Sequence, residues 1–275
     1  MQNNPTITLN NGIEMPQLGY GVWQIPDEEA AQAVGTALAA GYRSIDTAAV
    51  YGNEEGVGRG IAESGIARED LFITTKLWNE KQGYDSTLKA FDRSLHELKL
   101  DYVDLYLIHW PLPARDLYIE TWRAFEKLYA DGLIKAIGVS NFLPEHLDRL
   151  LAASDVVPAV NQIELHPYLQ QSALRTYDRE HGIATEAWSP LAKGNELLQD
   201  PVLTSLGERH GKSPAQIVLR WHIQLGNIVI PKSVTPARIR ENMEIFDFEL
   251  SPEEMAQIAT LNTNTRTGGD PAVVN

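Results

Sequence analysis

Four residue types able to share a proton lie at or near the ends of short apolar runs. Ser44-Ile45-Asp46 ends in a carboxylic acid, the run from Leu71 in the amine of Lys76, and the run from Val103 in the imidazole of His109; Tyr51 follows shortly after Asp46. A free tyrosine keeps its proton to about pH 10, too firmly for an efficient acid near neutrality. A neighbouring ammonium stabilises the phenolate and lowers that value, a role open to Lys76. In a partly dry cleft Lys76 needs an anion to stay charged, and Asp46 can supply it. His109 can then orient a carbonyl by donating a hydrogen bond. Together they make a proton donor for an oxygen that turns negative when hydride reaches its carbon. Singly, each also fits a mundane role: a turn cap, a solvated strand end, a hydrogen-bonded histidine, a packing tyrosine. The shared chemistry requires that the run ends converge.

Neighbouring parallel strands would bring them together. Periodicity predicts eight strands, at 18–21, 43–46, 71–76, 103–109, 134–140, 159–164, 183–188 and 228–231, with helical segments at 28–40, 85–98, 118–130, 145–153 and 172–181. This alternation is the pattern of an α/β chain folded as a (β/α)8 TIM barrel, whose chemistry sits at the carboxyl ends of the strands. A doubly wound open sheet is the alternative. Ahead of strand one, Thr6–Leu9 and Ile13–Met15 flank Asn10-Asn11-Gly12, which predicts an N-terminal β-hairpin within residues 1–16 that can plug the barrel bottom. Ser251-Pro252-Glu253-Glu254 reads as a capping box opening an extra C-terminal helix to about Leu261, and residues 262–275 read as an irregular, mobile tail. No low-complexity linker interrupts residues 1–275, so a single domain is expected.

Composition narrows the function classes. The chain has 275 residues, no cysteine and a formal net charge of −14. Thiolate chemistry and disulfides are excluded, and general binding to nucleic acid or an anionic membrane is disfavoured. The first 20 residues lack a basic segment followed by an apolar stretch, and no run of 18 apolar residues occurs. The expectation is a soluble cytoplasmic protein.

Six motifs in register give the chain a family resemblance. They are the run from Gly41 to Glu54 that contains Asp46 and Tyr51, Ile73–Trp78, Leu105–Pro111, Gly138–Phe142, Asn161–Pro167 and Ile230–Ser233. Over nearly its whole length the chain resembles the aldo-keto reductase superfamily, and within it most resembles bacterial 2,5-diketo-D-gluconate reductases. The resemblance implies Tyr51 as general acid, Lys76 and Asp46 as the pair that lowers its pKa, and His109 as the residue orienting the carbonyl. It also implies that Ser140, Asn141 and Gln162 bind the carboxamide of NADPH/NADP+, that Trp188 stacks on the nicotinamide, and that Ser189 and Leu191 contact the cofactor. Trp23, Trp78 and Trp110 would line the substrate pocket, though each also suits an ordinary aromatic core.

Gly56-Val57-Gly58-Arg59-Gly60 invites a dinucleotide-loop reading that fails: the third glycine would fall at Ile61, and no strand directly precedes it. A glycine-rich helix start fits better. A more suitable anion site follows strand eight, where Lys232-Ser233-Val234-Thr235-Pro236-Ala237-Arg238 joins two cations to a helix start with Thr235 at the N-cap. A positive cluster in an acidic protein favours NADP over NAD. The resemblance assigns Lys232, Ser233 and Arg238 to the 2′-phosphate, and Glu241 and Asn242 to the adenine.

The expected activity is NADPH-dependent reduction of aldehydes or ketones to alcohols, on dicarbonyls such as methylglyoxal or keto sugars such as 2,5-diketo-D-gluconate. A small carbonyl compound is the expected partner, with no bound metal and, on the resemblance, a monomeric state. Three rivals remain open at this point: an NADP-binding barrel without turnover, a Schiff-base lyase using Lys76, and a metal hydrolase using Asp46, His109, Glu164 and His166.

Overall fold

Runs that are apolar on both faces can be satisfied only where both faces are covered, and the centre of a barrel ringed by helices provides that. The computed structural model describes residues 4–194 and 196–274. The expected hairpin (1–16) and tail (262–275) therefore each include residues outside the described ones.

The hairpin forms from β1 (Thr6–Thr8) and β2 (Glu14–Pro16), antiparallel, with the Gly12 N–H donating to Leu9 O at 2.9 Å. Eight further strands follow in parallel: β3 (Tyr20–Gly21), β4 (Ser44–Asp46), β5 (Phe72–Leu77), β6 (Val103–Ile108), β7 (Ile134–Ser140), β8 (Val160–Glu164), β9 (Ala184–Trp188) and β10 (Ile228–Val229). They pair in chain order. The ring closes where Gly19 N–H donates to Val229 O at 2.9 Å and Val229 N–H donates to Gln17 O at 2.9 Å. Leu18 and Gly19 thus serve the closure, which leaves β3 shorter than expected. Strand β10 is short because Pro231 has no N–H to continue the ladder; its carbonyl still accepts from Gly21 N–H at 3.1 Å.

Helices α1 (Asp27–Ala40), α2 (Glu54–Glu63), α3 (Tyr84–Leu98), α4 (Tyr118–Ala130), α5 (Pro144–Ala153) and α6 (Ser172–Glu180) cover the sheet. The glycine run lies in α2 and has a packing explanation. A Cβ on Gly56 would lie 2.3 Å from Asp27 O of α1, and one on Gly58 would lie 2.3 Å from Leu98 O at the end of α3. Only glycine permits these approaches.

Two helices the periodicity reading passed over, α7 (Pro201–His210) and α8 (Pro214–Gln224), carry the same start signals that identified the last one. Asp200 caps α7, and Ser213 with Gln216 forms a capping box on α8. Short α9 (Pro236–Glu241) has Thr235 at its N-cap position but makes no side-chain cap bond. In α10 (Pro252–Ala259) the expected box forms, Ser251 accepting from the Glu254 N–H.

The core has two parts. The larger packs the helices onto the outer faces of the strands. The smaller lies inside the barrel bottom, where Leu9 and Met15 of the hairpin meet Phe72, Leu105, Leu107 and Ile228. Among the described residues no helix is long and apolar enough to cross a membrane.

Candidate active site

Chain order in a closed barrel brings the ends of β4, β5, β6, β8 and β9 to one mouth. Asp46 closes β4, Lys76 is the penultimate residue of β5, and His109 directly follows β6. Tyr51 ends a single 3-10 turn (Ala49–Tyr51), whose Tyr51 N–H donates to Ala48 O at 2.9 Å. That turn carries the phenol back over the mouth.

Lys76 has no exposed surface. Its Nζ donates to Asp46 Oδ1 at 2.6 Å, to Thr47 O at 2.9 Å and to the Tyr51 hydroxyl at 3.5 Å, so all three ammonium protons are committed. Burial is the largest influence and opposes its charge, but Asp46, Tyr51 and Glu186 together outweigh it and Lys76 is held above its ordinary value. Tyr51 departs from the sequence-based expectation. Burial raises its phenol above the ordinary value, and the opposing pull of Lys76 is partly undone by Asp46. In this state Lys76 moderates the acid without making it a strong one. Burial, reinforced by Lys76, holds His109 well below the usual imidazole range, so it is neutral at pH 7. Its ring meets Tyr51 and Trp78 edge-on, with centroids 5.9 and 5.3 Å away, and its Nδ1 is buried without a partner.

A cavity of about 550 Å³ opens above these groups, lined by Trp23, Val50, Tyr51, Trp78, His109, Trp110 and Trp188 among others. All three tryptophans expected at a substrate pocket therefore line one cavity, and Trp23 is 41% exposed at its rim. A second cavity, of about 750 Å³, adjoins it through shared walls at Trp23, Ser189, Pro190, Lys193 and Lys232. It runs past Leu191 to Ser233, Arg238, Glu241 and Asn242. Among the described residues Lys232 and Arg238 make no ion pair, whereas Ser233 is tied in: its hydroxyl accepts from Thr235 N–H at 3.1 Å and its carbonyl from the Tyr20 hydroxyl at 2.5 Å.

Ser140, Asn141 and Gln162 line the first cavity but already serve the protein. The Ser140 hydroxyl donates to Gln162 O at 2.8 Å. The Asn141 amide donates to His109 O at 2.9 Å and accepts from Trp188 Nε1 at 2.9 Å, which fixes the indole. Gln162 Nε2 donates to both Asp46 Oδ2 and Glu186 Oε2 at 2.8 Å, leaving its carbonyl oxygen for the cavity.

Two features were not anticipated. Glu186 shares the strand face of Trp188 and lies fully buried below it; a lone acid inside an apolar strand run was the available signal. The tail is irregular but docked. The Glu164 carboxylate accepts from Thr267 N–H at 2.5 Å, the Thr267 hydroxyl at 2.7 Å and Gly268 N–H at 3.1 Å, and Lys193 Nζ reaches Thr267 O at 2.6 Å. His166 backs this clasp, its Nε2 lying 3.0 Å from Glu164 Oε1. Composition showed the absence of regular structure in the tail, but no local pattern revealed its buried acceptor. As a result Gly268 and Gly269 form part of the cavity wall.

Comparison with known proteins agrees with this geometry. The model of the Aldo/keto reductase family matches residues 15–263. Glyoxal reductase of Bacillus subtilis (strain 168) is 57% identical over 97% of this chain and 96% of its own. The crystal structure of an aldo/keto reductase from Brucella melitensis is 62% identical with a TM-score of 0.93, covering 95% of this chain and 99% of that one. A mutant of Gox0644 in complex with NADPH is 48% identical with a TM-score of 0.95, covering 99% of each chain.

Proposed function

The chain belongs to the aldo/keto reductase family, and we propose that it reduces small dicarbonyl compounds to hydroxycarbonyls with NADPH, Tyr51 acting as the general acid. The observation that carries this reading is the Tyr51–Lys76–Asp46 chain beside a neutral His109, with Tyr51, Asp46 and His109 lining one aromatic cavity above the buried Lys76. NADPH fits the paired cavities: unpaired Lys232 and Arg238 stand at one end, where they suit a 2′-phosphate, and Trp188 with the free Gln162 oxygen stands at the other, where they suit a nicotinamide carboxamide. When bound, NADPH supplies the hydride.

The side chains of this protein account for the rest. Neutral His109 presents a ring nitrogen to the cavity and orients the carbonyl oxygen by a hydrogen bond. Tyr51 gives that oxygen its proton, and the Lys76 ammonium, 3.5 Å away, stabilises the phenolate left behind. Asp46 keeps Lys76 charged through the turnover. Trp23, Trp78 and Trp110 exclude water and favour compact substrates with little charge; the relative named glyoxal reductase supports a dicarbonyl. A Schiff-base role for Lys76 is opposed by its ion pair, because the nucleophile there must be a neutral amine. The Glu164 carboxylate is taken up by His166 and the tail, which leaves it engaged and not free for a metal.

The test is NADPH consumption across glyoxal, methylglyoxal, keto sugars and keto acids. Turnover highest with the neutral dicarbonyls is expected, and highest turnover with keto sugars or keto acids would overturn the substrate class. NADPH binding without turnover on any of them would establish the non-catalytic reading. The variant Y51F should still quench Trp188 fluorescence on adding NADPH while losing turnover by about 10²- to 10⁴-fold.

A further inference from the structure

The mouth of the barrel holds one more carboxyl than this mechanism uses. Glu186 on β9 is fully buried, and Gln162 divides its two amide protons between Glu186 Oε2 and Asp46 Oδ2, each at 2.8 Å. Glu186 Oε1 has no partner. An ionised carboxylate would leave that oxygen bare in a dry site, a costly arrangement. Asp46 already holds the Lys76 ammonium at 2.6 Å. Two carboxyls sharing one ammonium and one amide do not both ionise readily, so the proton settles on the one without the cation.

We infer that Glu186 is a positioning residue of the proton-donating site: neutral, it braces Gln162 and leaves Asp46 the sole anion facing Lys76; ionised, it competes for Lys76 and weakens Tyr51 as a donor. The inference rests on Tyr51 being the acid. Three further observations agree with it. Burial and the Asp46 charge push Glu186 up to about 8, against the Gln162 hydrogen bond and the Lys76 charge, which oppose them. A charge on Glu186 holds the Tyr51 proton more firmly. The groups facing it are Asp46 from β4, Lys76 from β5 and Gln162 from β8, with Tyr51 beyond Lys76; its β10 neighbours Ile228 and Val229 carry no charge. The sign follows directly. Below about 8 Glu186 is neutral and turnover is full; as pH rises through that value Glu186 ionises and turnover falls.

E186Q keeps the shape and still accepts from Gln162, but it cannot ionise. At about pH 6.5 its kcat should lie within about twofold of the parent, and its alkaline fall should move up by about one pH unit or more. E186T, which removes the carboxyl altogether, should displace the same limb. Infrared difference spectra between about pH 6.5 and 9.5 should show a protonated-acid carbonyl loss that is larger in the parent than in E186Q, where Glu54 still contributes its own band. An unchanged pH profile in both variants, a uniform loss of turnover with the limb in place, or identical infrared spectra would each overturn the inference. Unimpaired turnover by Y51F would instead refute the Tyr51 reading, whatever the infrared spectra show.

Discussion

At the amino ends of the barrel strands, Leu9 and Met15 press on Phe72, Leu105, Leu107 and Ile228, and the hairpin is tied down by the side chains of Asn10 and Asn11 donating to Pro158 O and Lys135 O. Nearer the carboxyl ends of the barrel strands, Asp46, Lys76, Gln162 and Glu186 are just as buried, yet polar, and three of them are ionisable. One end is held by transfer of apolar surface from water, the other by a hydrogen-bond network whose members depend on one another. The lesson is that burial does not separate core from site in this barrel; chemistry at equal depth does. Truncation should therefore damage stability at one end, and stability together with turnover at the other.

The largest effect is expected at the polar end. D46A leaves Lys76 buried and unpaired, which should cost about 3–5 kcal/mol of stability and lower turnover by at least about 10²-fold. Denaturant melts with steady-state kinetics measure both. Near-parental turnover would break the comparison by making the pair structural. M15A empties volume in the plug and should cost about 2–5 kcal/mol with kcat unchanged. A large fall in kcat for M15A would show that the two ends are coupled.

Glu54 sharpens the contrast because it is a buried carboxyl without access to the mouth. It accepts from Thr75 at 2.6 Å and Ser94 at 3.1 Å, and burial pushes it up to about 7. A carboxyl raised in the fold favours the protonated form, so its contribution to stability is full below the ordinary carboxylate range and is lost as pH rises through about 7. E54Q cannot ionise. It should gain about 2 kcal/mol over the parent at pH 8, with little difference at pH 5. Thermal melts at both pH values decide this, and an equal shift at the two would show that ionisation is not the cause.

Much of this was legible in the sequence because strand ends are punctuated by chemistry. Asp46, Lys76 and His109 end apolar runs where a barrel needs inward polar groups, and Ser251-Pro252-Glu253-Glu254 marks a helix start in four residues. What escaped notice depends on distant partners. Nothing local to Thr267 and Gly268 shows that Glu164, about a hundred positions earlier in the chain, accepts their N–H groups. The net direction for Tyr51 was also hidden, since Lys76 and Asp46 are visible in the sequence but the dry surroundings that outweigh them are not. Helices α7 and α8 were readable from Asp200 and Ser213, but their apolar periodicity is blurred: α8 is buried across consecutive positions from Gln216 to Ile223.

The smallest expected effect concerns the tail, where polar and apolar wall meet. A Cβ on Gly268 would lie 2.4 Å from Trp188 Cη2 and 3.2 Å from Glu164 Oε2. The indole cannot swing aside without breaking its bond to Asn141, so in G268A the tail must move. Its donors would then retreat from Glu164, and the cavity wall formed by Gly268 and Gly269 would open. Global stability should stay within about 0.5 kcal/mol, because the tail lies outside both cores. KM for the carbonyl substrate should rise about fivefold, or about 1 kcal/mol, with kcat held because Tyr51, Lys76 and Asp46 do not touch the tail. An unchanged KM would mean that the substrate does not reach the wall Gly268 builds; a fall in kcat with constant KM would place the tail in the proton-donating network and erase the division of labour between the two ends of the barrel.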